Sequence, residues 1–138
     1  MDAVLGSWKI KEGSEKNYDH FFKEMGIPDE AAREYMKRTI LLSFSKDGDK
    51  FTMKEVITND PAKKSASYTY ELGKEFDTVD VDDQPLKMKM EWDGSKFNET
   101  YSYPQSPPVH TTREVVGGIM KVAMTVNGVT ATDEWEKC

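Results

Sequence analysis

Hydrophobic and polar side chains alternate with a period of two along most of the chain after residue 40. The segment LKMKMEW, residues 86–92, is the clearest case, because its leucine, methionines and tryptophan fall on one face and its charged side chains on the other. Residues 67–72 and 119–126 repeat the pattern. One polar and one hydrophobic face is typical of antiparallel strands. Turn residues separate these segments about every ten residues, which favours a sandwich or a barrel built from hairpins.

Two stretches before residue 40 follow a helical period instead. The first, NYDHFFKEMG, begins with a plausible N-cap, Asn17, and ends with a plausible C′ residue, Gly26. Its hydrophobic face consists of Tyr18, Phe21, Phe22 and Met25. The second, PDEAAREYMKR, has Pro28 and acidic residues at its start and basic residues at its end, which suits the helix dipole. The sequence therefore predicts a helical hairpin.

The predicted order is one strand, two helices and about nine further strands. Closure of such a meander into a barrel removes exposed strand edges, and it requires the first strand to pair with the last. No linker or repeat divides the chain, so we expect residues 1–138 to form a single domain. A closed barrel of this size can hold one small ligand in its interior.

Composition narrows the function classes. The net charge is −6 and the isoelectric point about 5.0, which argues against nucleic-acid binding. No apolar run reaches the length of a membrane span, and residues 1–10 lack the pattern of a secretory signal. The single cysteine, Cys138, excludes an intrachain disulfide. We expect a monomer in the cytoplasm. We also expect no cofactor, metal site or catalytic group, because His20 and His110 belong to no metal-ligand or nucleophile motif.

Several stretches carry a resemblance to a known family. DAVLGSWKI, residues 2–10, resembles the opening of the intracellular lipid-binding proteins, which include fatty-acid-binding and cellular retinoid-binding types. ELGKEFD (71–77), TTREVVGG (111–118) and the first predicted helix are similar to other segments of that family. The resemblance implies an all-β fold of the calycin or lipocalin type. That fold is a ten-stranded antiparallel up-and-down barrel with a helix-turn-helix lid.

The resemblance also implies which residues meet the ligand's head group. The family holds a fatty-acid carboxylate with one arginine, matched here by Arg113, and with an Arg-x-Tyr pair on the last strand. Asp133 and Trp135 stand in the place of that pair. We therefore expect Asp133 to face Arg113 across the cavity and to form an ion pair with it, direct or through water. Neutral or weakly polar lipids should then bind at least as well as free fatty acids.

Pattern alone leaves alternatives for both charged residues. Arg113 could lie on the exterior of its strand. A register slip of one residue in the last strand would turn Asp133 outward, but it would also expose Trp135 and bury Glu134.

Trp8, in the family's barrel-starting run, is expected to be structural.

Two further groups of residues are candidates for contact with ligand or membrane. The predicted ligand lining consists of Tyr18, Phe22, Met25, Met120, Val122 and Met124, which could equally be ordinary core. The predicted portal consists of Arg33, Lys37, Arg38, Lys63 and Lys64. These basic residues could steer the mouth of the barrel toward an anionic membrane or form an ordinary solvated face.

The leading functional hypothesis is a non-catalytic carrier that binds a fatty acid or a related neutral lipid or retinoid inside the barrel. One alternative is an enzyme that acts on a lipid or pigment in the barrel, with Asp133 as acid or base. A second alternative is a storage or structural protein without a specific ligand.

Overall fold

The computed structural model describes residues 1–138, which fold as ten strands and two α-helices in the predicted order. A short 3₁₀ helix, Asp2–Val4, precedes the first strand. The strands are β1 (Gly6–Ile10), β2 (Ile40–Asp47), β3 (Lys50–Ile57), β4 (Ser65–Glu71), β5 (Phe76–Val79), β6 (Pro85–Trp92), β7 (Phe97–Ser102), β8 (Val109–Val116), β9 (Ile119–Val126) and β10 (Val129–Lys137). The helices are α1 (Tyr18–Glu24) and α2 (Asp29–Met36).

All ten strands belong to one antiparallel sheet, with the order β4-β3-β2-β1-β10-β9-β8-β7-β6-β5. The first strand pairs with the last, as predicted, and places Trp8 opposite Lys137. The two ends of the sheet, β4 and β5, do not pair as strands. The amide of Gly73, in the turn between them, donates instead to the carbonyl of Met90 at 2.7 Å. The sheet is therefore a nearly closed barrel with a gap between β4 and β5.

The helices lie at one end of the barrel, here called the lid end. Gly26 has φ +78° directly after the first helix, in the left-handed conformation expected of a C′ glycine. Asn17 occupies the predicted N-cap position, but its side chain forms no capping hydrogen bond. Its amide donates to the carbonyl of Thr130, so the side chain ties the helix entry to β10. Neither helix has the length and hydrophobicity needed to traverse a bilayer.

The core has two parts. Trp8 lies in the part that closes the end of the barrel opposite the lid. Its side chain is only 1% exposed, and its indole N–H donates to the carbonyl of Val4 at 2.8 Å. The second part lies beneath the lid, where α1 packs on the lid-end portions of three strands. It contains Tyr18, Phe21, Phe22, Val109, Val126 and Ala131.

Candidate functional site

The register of β10 decides which side chains of the last strand face the interior. Ala131, Asp133 and Trp135 are buried, whereas Thr132 and Glu134 retain partial exposure. The inward orientation of Asp133 and Trp135 is therefore confirmed, and the slipped register is excluded.

Asp133 lies 5% exposed in the interior, and both of its carboxylate oxygens accept hydrogen bonds. The Tyr18 hydroxyl donates to one oxygen, and the indole N–H of Trp135 donates to the other at 2.7 Å. Burial raises the pKa of Asp133, although both hydrogen bonds and the more distant Arg113 favour the ionised form. The acid therefore connects the lid helix to the last strand through neutral donors.

Arg113 is also buried, so the exterior alternative is excluded, but its partner is Glu99 on the neighbouring strand β7. Its Nε donates to Glu99 Oε2 at 2.9 Å and its Nη2 to Oε1 at 3.1 Å. The Tyr101 hydroxyl donates to the same carboxylate, and the guanidinium lies over the ring of Phe44. Burial disfavours the charged guanidinium, yet the contact with Glu99 outweighs this and raises the pKa of Arg113.

The predicted direct ion pair between Arg113 and Asp133 is therefore wrong. Both residues lie opposite Val122, so they share one row of the barrel with the whole of β9 between them. Two interstrand spacings amount to about 10 Å, whereas Glu99 lies on the adjacent strand. The alternation of Phe97, Glu99 and Tyr101 along β7 was the sequence signal that could have revealed this inward acid.

The predicted lining residues occupy the inner face. Tyr18, Phe22, Met120 and Val122 are buried, and Met25 is half-buried at the lid. Their contact with a ligand stays a prediction, because the same residues also form the core.

Some inward-facing side chains near the lid end are only partly buried. Four inward-facing side chains there are half-buried, namely Ile40, Glu55, Ala66 and Met124. At the opposite end, Val4 and Trp8 are almost fully buried, whereas Leu5 and Trp92 in the same cluster are only partly buried. Both ends of the interior therefore contain partly buried side chains.

The predicted portal residues do not form one free basic cluster. Arg38 donates to both oxygens of Asp82, at 3.0 and 2.8 Å, and Lys64 contacts the same carboxylate at 3.4 Å. These contacts tie the segment after α2 to the turn between β5 and β6. Lys37 contacts Glu34 within the lid region at 3.2 Å. Only the two remaining residues, Arg33 and Lys63, are exposed without an ion-pair partner.

Comparison with known proteins identifies the family. The family model described as "Lipocalin / cytosolic fatty-acid binding protein family" matches residues 3–137. The chain belongs to this family. Its barrel has a TM-score of 0.86 to the structure of the Schistosoma mansoni fatty acid binding protein in complex with arachidonic acid, with 30% identity and coverage of 100% of this chain and 98% of that one. The resemblance predicted from the sequence is thereby confirmed.

Members of the family from distant animals are about equally similar in sequence. Gastrotropin of Sus scrofa is 31% identical over 128 residues, which cover 93% of this chain and 92% of gastrotropin. The 14 kDa fatty acid-binding protein of Schistosoma mansoni is 31% identical over 138 residues, which cover 99% of this chain and 98% of the relative.

Proposed function

We propose that this family member is a non-catalytic cytoplasmic carrier that encloses the hydrocarbon chain of one lipid molecule in its barrel. Its family membership and its similarity to a relative that binds arachidonic acid support this proposal. Burial of the chain's methylene groups stabilises the complex by about 0.8 kcal/mol each. The protein would thereby keep an insoluble molecule in solution and deliver it to membranes.

The engagement of Arg113 by Glu99 is the observation that favours a neutral or weakly polar head group. A fatty-acid carboxylate at Arg113 would have to displace Glu99 or lie beside it with like-charge repulsion. Asp133 adds a second acid in the same row. A hydroxyl or carbonyl oxygen meets no such repulsion. The corresponding test is competition between oleate and its alcohol for the barrel.

No observation favours the enzyme alternative. Both oxygens of Asp133 are occupied by Tyr18 and Trp135, which hold the carboxylate in a fixed position. These donors leave Asp133 poorly placed to exchange a proton with a substrate.

Transfer of a bound lipid to vesicles tests the carrier proposal. The residues to replace are Arg33 and Lys63, the two portal residues without an ion-pair partner. Loaded with a neutral fluorescent lipid, the protein should transfer it to anionic vesicles several-fold more slowly when Arg33 and Lys63 are both replaced by glutamate. Surface charge mainly changes the rate of encounter, so the equilibrium affinity should change little. Lys64 is left intact because it contacts Asp82.

The control variant replaces Lys50 and Lys54 by glutamate. Both lysines are exposed on the outer wall of β3, and the control therefore has the same net charge as the portal variant. Equal transfer rates for the portal variant and this control would contradict membrane contact through the portal. Failure of the unmodified protein to bind the neutral lipid at all would contradict the carrier proposal.

A further inference from the structure

A second polar group lies at the lid end, beside the gap between β4 and β5. It contains Glu55 on β3, Tyr68 on β4, Asp80 after β5 and Tyr103 after β7. The Tyr103 hydroxyl donates to one oxygen of Asp80 at 2.8 Å, and the backbone amides of Asp82 and Gln84 donate to the other. Both oxygens of Asp80 therefore accept hydrogen bonds. The two remaining side chains of the group are Glu55 and Tyr68.

Glu55 is an inward-facing carboxylate without a partner. It lies between the buried Met53 and Ile57 on the inner face of β3, and it forms no hydrogen bond or ion pair with any side chain or backbone group. The nearby guanidinium groups are committed elsewhere, since Arg38 donates to Asp82 and Arg113 donates to Glu99. Burial raises the pKa of Glu55, and Asp80 raises it further, while the guanidinium groups of Arg113 and Arg38 oppose the shift without cancelling it. A charged group in such surroundings is costly unless a counter-charge reaches it.

Tyr68 is a second polar side chain of this group without a partner. Its side chain is only 4% exposed, yet its hydroxyl forms no hydrogen bond within the protein. Every fully buried side-chain polar atom has a partner, so this hydroxyl must open onto free space. Tyr68 pairs with Met53, which places it diagonally across from Glu55 on the same inner face. Burial raises the pKa of Tyr68, and the negative charges of Glu55 and Asp80 raise it further.

The balance of charge in the interior is negative. On the strands, three inward-facing carboxylates, Glu55, Glu99 and Asp133, accompany one inward-facing cation, Arg113. Glu99 neutralises that cation, and Asp133 receives two neutral hydrogen bonds. Glu55 alone accepts no hydrogen bond and contacts no cation directly, although the more distant Arg113 and Arg38 favour its ionised form. The missing partner is a compact cation that also donates hydrogen bonds.

We infer that Glu55 and Tyr68 form a head-group site for the protonated amine of a single-chain lipid whose hydrocarbon chain extends into the barrel. This inference rests on the proposed carrier function and names a head group for it. A primary ammonium has three N–H donors, so it can donate to the Glu55 carboxylate and the Tyr68 hydroxyl together. An alcohol can donate one hydrogen bond without compensating the charge, and a carboxylate is repelled.

Oleylamine, oleyl alcohol and oleate, which share the same chain, separate the head-group contribution from chain burial. Each is used below its aggregation concentration to displace a neutral fluorescent lipid at pH 7, where the amine is protonated. Oleylamine should bind about tenfold or more tightly than the alcohol, because hydrogen bonds to charged groups are the strong ones. Glu55→Gln should reduce this ratio to below about threefold, and Tyr68→Phe should reduce it in part. Glu91→Gln, which removes an exposed acid from the outer face of β6, should leave the ratio unchanged.

Three results separate failure of the inference from failure of the proposed function. If oleyl alcohol displaces the probe and oleylamine binds no more tightly, or keeps its full advantage in Glu55→Gln, only the amine site is wrong. A probe that binds but is displaced by neither compound also overturns only the amine site. If the protein binds neither the neutral probe nor any of the three compounds, the carrier function fails and the inference fails with it. Circular dichroism establishes that each variant is folded. Should Glu55→Gln not fold, Tyr68→Phe decides, and an unchanged ratio there overturns the inference.

Discussion

Glu99→Gln should raise the affinity for oleate by at least about tenfold while leaving the affinity for oleyl alcohol nearly unchanged. The substitution keeps an acceptor oxygen beside Arg113 and Tyr101 but removes the charge that neutralises the guanidinium. An uncompensated buried charge costs up to about 3–5 kcal/mol of folding free energy. A bound carboxylate would restore part of that energy, and tenfold corresponds to about 1.4 kcal/mol.

Two measurements check this expectation. Displacement of a neutral probe gives the affinities, and urea unfolding with and without oleate shows whether the ligand restores the stability lost by substitution. Glu91→Gln is the matched control, because it removes the same charge from the exterior. A folded Glu99→Gln variant with unchanged oleate affinity would mean that Arg113 does not meet the head group.

Trp8→Ala should lower the free energy of unfolding by about 3–5 kcal/mol, the usual cost of removing a large buried aromatic side chain. The indole is 1% exposed, donates to the carbonyl of Val4 and lies beneath the ammonium of Lys137. Removal of the indole from this packed cluster should leave a cavity. Ligand affinity should change little in the folded fraction, because Trp8 lies at the end opposite the helices and bonds to the backbone of Val4.

Trp135→Phe is the comparison, since it keeps an aromatic ring but removes the N–H that donates to Asp133. One unsatisfied carboxylate oxygen costs about 1–3 kcal/mol, and the altered interior should change ligand affinity. Urea unfolding followed by circular dichroism compares both variants without relying on tryptophan fluorescence. A larger stability loss for Trp135→Phe than for Trp8→Ala would contradict the assignment of structural and site roles.

The fold was predictable because alternation and turn spacing act along the chain. The period of two along β6 and β9 identified the inner face, and exposure of Trp135 in the alternative register fixed the orientation of β10. Closure of the barrel then required β1 to pair with β10. These features depend on local pattern and on the need to bury hydrophobic side chains.

The partners of the charged side chains were not predictable in the same way. Alternation shows that Arg113, Asp133 and Glu99 all point inward, but it does not show which acid the guanidinium reaches. That choice depends on the number of intervening strands, and the adjacent Glu99 is favoured. The ion-pair partners of the portal residues were unpredictable for a similar reason. Asp82 comes close to Arg38 only after β5 and β6 have folded.

The preference between oleate and oleyl alcohol in the unmodified protein is the most direct measurement. Competition for one neutral fluorescent probe at pH 7 compares two ligands that share a chain and differ only in the head group. With Glu99 bound to Arg113, the alcohol should bind at least as tightly as the acid. Oleate binding tenfold or more tightly than the alcohol would contradict the view that Glu99 and Asp133 disfavour a carboxylate in this barrel.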